Sequence, residues 1–304
     1  MTRVAAIDCG TNTIRLLIVD SDGTEYARES MVVRLGQGVD RTGELAPDAL
    51  ERTFAAIETY ADLIRTHGAT KVRFVATSAT RDASNAAEFV AGVEERLGVV
   101  PDVVSGDEEA ALAFAGATAG LPADTARPVL VFDVGGGSTE LIRGAVARDE
   151  VRGSFSMQIG SVRLTERHFR EDPPSMEEIS AVVRDIDDAL DQCPIDPSRP
   201  LTVIGVAGTV IQLAIGALGL AAYDRSLIDG AHVPIPAMQK TVEQLVGMTV
   251  DERLALPWMH PGRADVIAAG GLIVSRILRR VSVEELVVSE SDILDGIAQS
   301  MMDA

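Results

Sequence analysis

The sequence predicts an α/β protein built from two similar halves that face each other across a cleft. Two observations predict it. The first is a repeated hairpin: Asp8-Cys9-Gly10-Thr11-Asn12-Thr13 and Asp133-Val134-Gly135-Gly136-Gly137-Ser138 both spell D-x-G-x-x-[S/T]. Each follows a short apolar, β-rich run (residues 4–7 and 129–132) and precedes another (14–19 and 141–142). The second is what comes after each hairpin, where helical periodicity alternates with short apolar strands. The 304 residues suffice for two domains of ordinary size.

The glycines of these hairpins are Gly10 in the first and Gly135, Gly136 and Gly137 in the second, and three in a row can take backbone angles that a Cβ forbids. They also leave the backbone N–H groups open to a phosphate. Thr11, Asn12, Thr13 and Ser138 add side-chain donors, and Thr139 a further hydroxyl. Asp133 and Glu140 suit a hard, oxygen-loving cation such as Mg²⁺. A tight turn with no ligand is the alternative for either loop alone; the repetition favours a pair of phosphate loops.

In chain order, residues 1–35 read as a three-strand meander with a turn at Ser21-Asp22-Gly23, then a loop through Gly36-Gln37-Gly38 and Arg41-Thr42-Gly43. Pro47 suits a first helical position, and Leu50, Phe54, Ile57, Tyr60, Ala61 and Ile64 share one helical face until Gly68. Residues 72–76 form a strand ending in Thr77-Ser78-Ala79-Thr80-Arg81. Ser84 caps a helix that runs to Gly98, and Val103-Val104 leads into Ser105-Gly106. Asp107-Glu108-Glu109 opens a helix that stops near Gly120. The Pro-flanked stretch 122–128 is the expected linker, dividing the chain into domains 1–124 and 125–304. The second half repeats the scheme with strands to about Met157 and helix starts at Gly160 and after Asp172-Pro173-Pro174-Ser175. A buried strand over 201–206 runs into Ala207-Gly208-Thr209 and an apolar helix; 222–236 is irregular. A long apolar helix over 264–278, a strand at 286–288 and a helix over 292–302 complete the chain.

Hydrophobic residues make up 46%, which excludes a disordered chain. No apolar run approaches the ~20 residues of a membrane span. The N-terminus lacks a basic segment with an apolar core, so a cytoplasmic protein with no membrane partner is expected. Two cysteines, Cys9 and Cys193, exclude a disulfide framework and a Cys-rich zinc site. The net charge of −19 argues against a nucleic-acid partner. A polyanionic substrate would therefore need arginines and a metal to reverse the field locally. Lysine occurs only as Lys71 and Lys240, a bias that a GC-rich genome explains. His67, His168, His232 and His260 show no metal spacing.

The two hairpins, together with Thr77-Ser78-Ala79-Thr80-Arg81, Ser105-Gly106-Asp107-Glu108-Glu109-Ala110, residues 160–166, Gly205-Val206-Ala207-Gly208-Thr209 and Arg263-Ala264-Asp265, resemble the exopolyphosphatase / guanosine pentaphosphate phosphatase (Ppx/GppA) family. The resemblance covers essentially the whole chain. It implies two ribonuclease-H-like domains of the actin-like ATPase superfamily, shared with sugar kinases and heat-shock chaperones, around a central cleft. It also implies Mg²⁺-dependent hydrolysis, with Mn²⁺ as a substitute. The bond broken would be the terminal phosphoanhydride of inorganic polyphosphate or the 5′ γ-phosphate of guanosine pentaphosphate. A homodimer is the expected assembly.

Glu109 matches the family's catalytic base, the second Glu of its S-G-x-E-E-A pattern, and a carboxylate there can orient and deprotonate an attacking water. Opposing the helix dipole is the alternative, kept for Asp107 and Glu108. Arg81 matches the arginine closing the T-x-x-x-R segment, where a guanidinium can hold phosphate oxygens bidentately; an ion pair with Asp82 or with a carboxylate at a helix start is the bland reading. The phosphate-binding set is Gly10, Thr11, Asn12, Thr13, Gly135, Gly136, Gly137 and Ser138, with Gly208 and Thr209 at a helix start. The metal set is Asp133, Glu140 and Asp8. Arg15, Arg163, Glu166, Arg263 and Asp265 are explained as well by surface pairing or capping as by substrate contact.

Longer members carry an additional helical C-terminal domain with a His-Asp signature. It does not occur in these 304 residues, so short chains are the expected substrates. The family's Leu-Arg-Glu-Gly appears as Ile293-Leu294-Asp295-Gly296, lacking both the basic residue and the Glu. The main reading is an exopolyphosphatase of the short, two-domain type. A guanosine pentaphosphate hydrolase is the enzyme alternative. A non-catalytic nucleotide- or polyphosphate-binding regulator, which needs the loops but no base, is the alternative of another class.

Overall fold

The computed structural model describes residues 2–121, 125–126, 128–145 and 150–302. The chain divides into two compact units, residues 1–116 with 293–304, and residues 117–292. Residues 122–124 and 127 of the expected linker, and with them the 124/125 boundary, lie outside the described residues. The division differs from 1–124 and 125–304 chiefly at the C-terminus, where the helix Ile293–Met302 belongs to the first unit. Its contacts give the reason. Arg28 holds both carboxylate oxygens of Asp295, at 2.5 and 3.2 Å, and Lys71 donates to the Met301 carbonyl at 3.2 Å. Gly296 sits so tightly on the helix Gly106–Thr118 that a Cβ would fall 2.0 Å from the Leu112 carbonyl oxygen.

The first unit carries a sheet of β1 (Arg3–Cys9), β2 (Thr13–Asp20), β3 (Glu25–Val32), β4 (Lys71–Ala76) and β5 (Asp102–Val103), in the order β3-β2-β1-β4-β5. The meander β1–β2–β3 is antiparallel, as short turns require, and β4 and β5 run parallel to β1 after helical crossovers. The second sheet contains β6 (Val129–Val134), β7 (Thr139–Ala145), β8 (Glu150–Met157), β9 (Thr202–Val206), β10 (His232–Pro234) and β11 (Glu285–Val288). Its order is β10-β11-β9-β6-β7-β8. Apart from the edge strand β10, it repeats the first: an antiparallel meander, then two strands parallel to its first member. This is the ribonuclease-H-like topology twice over, the duplicated plan of the actin-like ATPase fold.

Each sheet is sealed by its own core. In the first unit Ile7, Ile14, Leu16 and Phe74 pack with Tyr60 and Phe89, and the Tyr60 hydroxyl donates to the Ile14 carbonyl at 2.9 Å. The helix Pro47–His67 begins at its proline and ends on Gly68 at φ 67°, as the sequence predicts. In the second unit the helix Ile267–Leu278 is buried along almost its whole length among Phe132, Leu213 and Val242.

Local differences are few. Residues 78–82 form a short helix, Ser78–Asp82, at the end of β4. The helix over 86–97 starts after Asn85, and the Ser84 hydroxyl instead donates to the Gly43 carbonyl at 3.1 Å. The irregular stretch 222–236 contains the helix Arg225–Ile228 and β10, then enters the helix Ile235–Val246. Among the described residues, no helix is long and apolar enough to cross a membrane.

Candidate active site

In the first unit the loop between β1 and β2 closes with Gly10 N–H donating to the Thr13 carbonyl at 3.0 Å. The Thr11 carbonyl accepts from Gly36 N–H, and the Asn12 carbonyl from the N–H groups of Val33 and Arg34, all at 2.9–3.0 Å. A trans peptide sets each C=O opposite the following N–H. The N–H groups of Asn12 and Thr13 therefore point away from residues 33–36. Gly36 is needed for this approach, because a Cβ would lie 2.3 Å from Thr11 Cγ2. Arg34 adopts φ 53°, a left-handed conformation uncommon outside glycine.

The side chains of this unit leave several donors and acceptors uncommitted. Thr11 and Ser78 share a hydrogen bond of 2.9 Å. Both amide atoms of Asn12, the Thr80 hydroxyl and Arg81 Nη2 are buried without a protein partner. Each such group costs roughly 1–3 kcal/mol while it stays unpartnered.

Glu109 lies on the first turn of the helix Gly106–Thr118, whose start is capped by the Ser105 hydroxyl accepting from Glu108 N–H. It is 9% exposed and accepts from Arg81 Nη1 at 3.1 Å; the same nitrogen donates to the Val104 carbonyl at 2.7 Å. Burial pushes the Glu109 carboxyl up to about 7; Arg81 opposes the shift, while Asp8 and Asp82 add to it. Its neighbour Glu108 turns elsewhere, accepting from Arg73 Nη2 at 2.8 Å on the outer face. Asp8 is register partner to Arg15, whose Nε and Nη2 both donate to its Oδ2, at 3.1 and 2.6 Å. Its charge is thus matched by a guanidinium within the hairpin.

In the second unit Asp133 and Glu140 are register partners across β6 and β7, so both project from one face. Glu140, 2% exposed, accepts from Ser156 Oγ at 2.7 Å, and Ser156 is its register partner on β8. The loop closes with Gly135 N–H on the Ser138 carbonyl at 3.1 Å. Its other carbonyls meet the start of the helix Ser161–His168: Gly135 accepts from Ser161 N–H, and Gly136 from Val162 and Arg163 N–H. Arg163 Nε adds a bond to the Gly137 carbonyl at 2.7 Å. By the same trans-peptide rule, the N–H groups of Gly136, Gly137 and Ser138 point away from that helix, forming a concave set of donors. Gly160 permits the contact, since its Cβ would lie 2.4 Å from the Gly136 oxygen.

Gly208 and Thr209 open the helix Ala207–Ala217, entered through Ala207 at φ 67°. The Thr209 side chain is buried against Gly270. The Arg263 guanidinium lies directly over Gly208, where a Cβ would fall 1.8 Å from Nη2. The first turn of this helix therefore presents its N–H groups beside a cation that the sequence left without a role. Sequence reasoning also missed Ser156 and the Arg163 contact, since neither follows from spacing. Among the described residues, no group of three or more His, Cys, Asp or Glu side chains forms a metal cluster.

Residues 18–304 match the Ppx/GppA phosphatase family. The chain is 44% identical to Exopolyphosphatase 2 of Mycobacterium tuberculosis, over 99% of both sequences. It superposes on the crystal structure of an exopolyphosphatase-like protein with a TM-score of 0.96 at 42% identity, covering 99% of each chain. With an exopolyphosphatase from Cytophaga hutchinsonii the TM-score is 0.92 at 28% identity, over 99% of this chain and 98% of the other.

Proposed function

The chain belongs to the Ppx/GppA phosphatase family, and we propose that it is an exopolyphosphatase that removes the terminal phosphate of inorganic polyphosphate. The observation that carries this reading is Glu109, a buried carboxyl pushed up to about 7 and held by Arg81. A base whose pKa lies near the working pH is both available and strong enough to take a proton from water. In the proposed reaction a Glu109 oxygen accepts that proton as the water oxygen attacks the terminal phosphorus. The bridging P–O bond breaks, the shortened chain leaves as an anion, and Arg81 Nη2 donates to a phosphoryl oxygen. The N–H groups of Gly136, Gly137 and Ser138 bind phosphate oxygens, as do Gly10, Thr11, Asn12 and Thr13 in the first unit. Gly208 and Thr209, with Arg263, take a further phosphate.

A pair of carboxylates suits Mg²⁺, which keeps several waters and shares its coordination with substrate phosphates. Asp133 and Glu140 would hold it, with Mn²⁺ as a substitute, and its charge would offset that of the phosphates. Asp8, paired with Arg15, is better read as part of the hairpin's own charge balance. Cytoplasmic location and a homodimer complete the reading. The test is orthophosphate release from polyphosphates of defined length and from guanosine pentaphosphate, with and without Mg²⁺. Faster, metal-dependent release from polyphosphate is expected. Preference for the nucleotide would reassign the substrate, and tight binding of polyphosphate without turnover would make the protein a regulator.

A further inference from the structure

Behind Arg263 stands a buried cation with an unusual set of partners. Arg253, on the helix Val250–Leu254, is 2% exposed. Its Nε donates to the Leu245 carbonyl at 2.8 Å and its Nη1 to the Ala264 carbonyl at 3.0 Å, while Nη2 has no partner. Both bonds go to main-chain carbonyls. Burying a guanidinium without a carboxylate in direct contact is costly, and an apolar side chain would fill the same space more cheaply. What the apolar side chain cannot do is fix the backbone at Ala264, between Arg263 and Asp265.

A second buried polar side chain holds the same segment from the other side. Gln212, 3% exposed in the middle of the helix Ala207–Ala217, donates through Nε2 to the Trp258 carbonyl at 2.7 Å. Its Oε1 accepts from His260 N–H at 2.9 Å. The Trp258 ring rests on Gly216, where a Cβ would lie 2.6 Å from Cη2. His260 Nδ1 in turn accepts from Gly262 N–H at 3.1 Å. The backbone from Trp258 to Ala264 is therefore fixed at three points by two side chains from the core. The residue delivered by this arrangement is Arg263, whose guanidinium lies over Gly208.

We propose that Arg253 and Gln212 are positioning residues that fix the 258–264 segment so that Arg263 and the start of the helix Ala207–Ala217 grip one phosphate of the substrate. The inference rests on the reading that Gly208, Thr209 and Arg263 take a phosphate. Steady-state kinetics on a polyphosphate of defined length, with thermal unfolding of each variant, test it. Arg253→Met and Gln212→Leu are each expected to raise KM about tenfold with kcat nearly unchanged, the signature of lost binding that is equal in ground and transition states. Arg253→Lys, which keeps the charge and can reach one carbonyl, should fall between, and it replaces the Met variant if that protein does not fold. In an Arg263→Gln background, adding Arg253→Lys or Gln212→Leu should change KM by less than about twofold, because the struts act through Arg263. The same KM increase with and without Arg263, or wild-type KM in both strut variants, would overturn the inference while leaving the phosphate reading intact. Wild-type KM in Arg263→Gln alone would remove the phosphate reading itself.

Discussion

In the first unit the aspartate that opens the loop, Asp8, faces Arg15 across the hairpin; in the second, Asp133 faces Glu140. The spacing within the two motifs is the same and the turns set the same register, so one substitution of residue type reverses the electrostatics. The first pair is neutral, with Arg15 Nη2 2.6 Å from Asp8. The second sets two acidic residues opposite each other, with Ser156 Oγ donating to Glu140 at 2.7 Å. The backbone device is otherwise shared: loop carbonyls are taken up by N–H groups from behind, with a glycine, Gly36 or Gly160, at the closest approach. In the proposed reading both loops bind phosphate through the same backbone device, and the neighbouring side chains would give one unit a proton acceptor and the other a place for metal.

The largest effect should come from removing the feature peculiar to the first unit. Glu109→Gln is expected to lower kcat about 10²–10⁴-fold with KM little changed. Glu108→Gln, one residue away but held by Arg73, should lose far less. Equal losses would turn the contrast into a collective effect of the acidic helix start. Wild-type activity should fall as pH drops through about 7, where burial leaves Glu109 protonated, and that limb should vanish from the residual activity of Glu109→Gln. Stability carries the opposite sign. A carboxyl raised by folding stabilises the protein fully below its unfolded pKa of about 4.5, and that contribution is lost as pH rises through about 7. The Tm of Glu109→Gln relative to wild type should therefore increase between pH 5 and pH 8.

Next in size is the contrast between the two aspartates. Asp133→Asn is expected to cost about 10–100-fold in Mg²⁺-dependent activity with little change of Tm in metal-free buffer. Asp8→Asn should lower stability by roughly 1–3 kcal/mol, because it removes the carboxylate charge that Arg15 Nε and Nη2 both donate to. A fall in Tm for both would erase the distinction between a balanced pair and a cation site.

The glycines behind the loops offer a finer comparison. Gly160→Ala drives a methyl into the Gly136 backbone, whereas Gly36→Ala meets chiefly the methyl of Thr11. Both should destabilise by roughly 1–3 kcal/mol. Thr11→Ser should rescue Gly36→Ala in part, and no side-chain change on the second loop should rescue Gly160→Ala, as read by thermal unfolding. The smallest effect is expected at the strand-to-helix junctions. Ala207 is held at φ 67° in the second unit, while among the described residues no non-glycine residue at a direct strand-to-helix junction of the first unit has a positive φ. Ala207→Gly should change stability by only about 0 to +1 kcal/mol, since relief of strain is offset by a more flexible unfolded chain. A clear loss of stability would show that the Ala207 methyl packs usefully.

Much of the fold was legible because hairpins, helix starts and glycine turns are written in consecutive residues. The two D-x-G loops, the helix opened by Asp107-Glu108-Glu109 and the buried helix near the C-terminus all follow from such short-range rules. The register that sets Asp8 opposite Arg15 and Asp133 opposite Glu140 was not read from the sequence, although both hairpins use the same spacing. The start at Asn85 instead of Ser84 was not legible, because Ser84 is drawn away to Gly43, a residue remote in the chain.

By itself the sequence determined two hairpin-led sheets, the positions of the glycines and the identity of the charged residues near them, since backbone angles and side-chain periodicity are local properties. Only the tertiary structure decided which of two adjacent glutamates is buried: Arg81 and Val104 converge on Glu109, while Arg73 draws Glu108 outward. Only it returned the last helix to the first unit through Arg28 and Asp295, and set Arg253 and Gln212 behind the segment that carries Arg263. Burial, charge pairing and pKa depend on which distant segments come into contact, and that is decided by packing the whole core, not by any one stretch of chain.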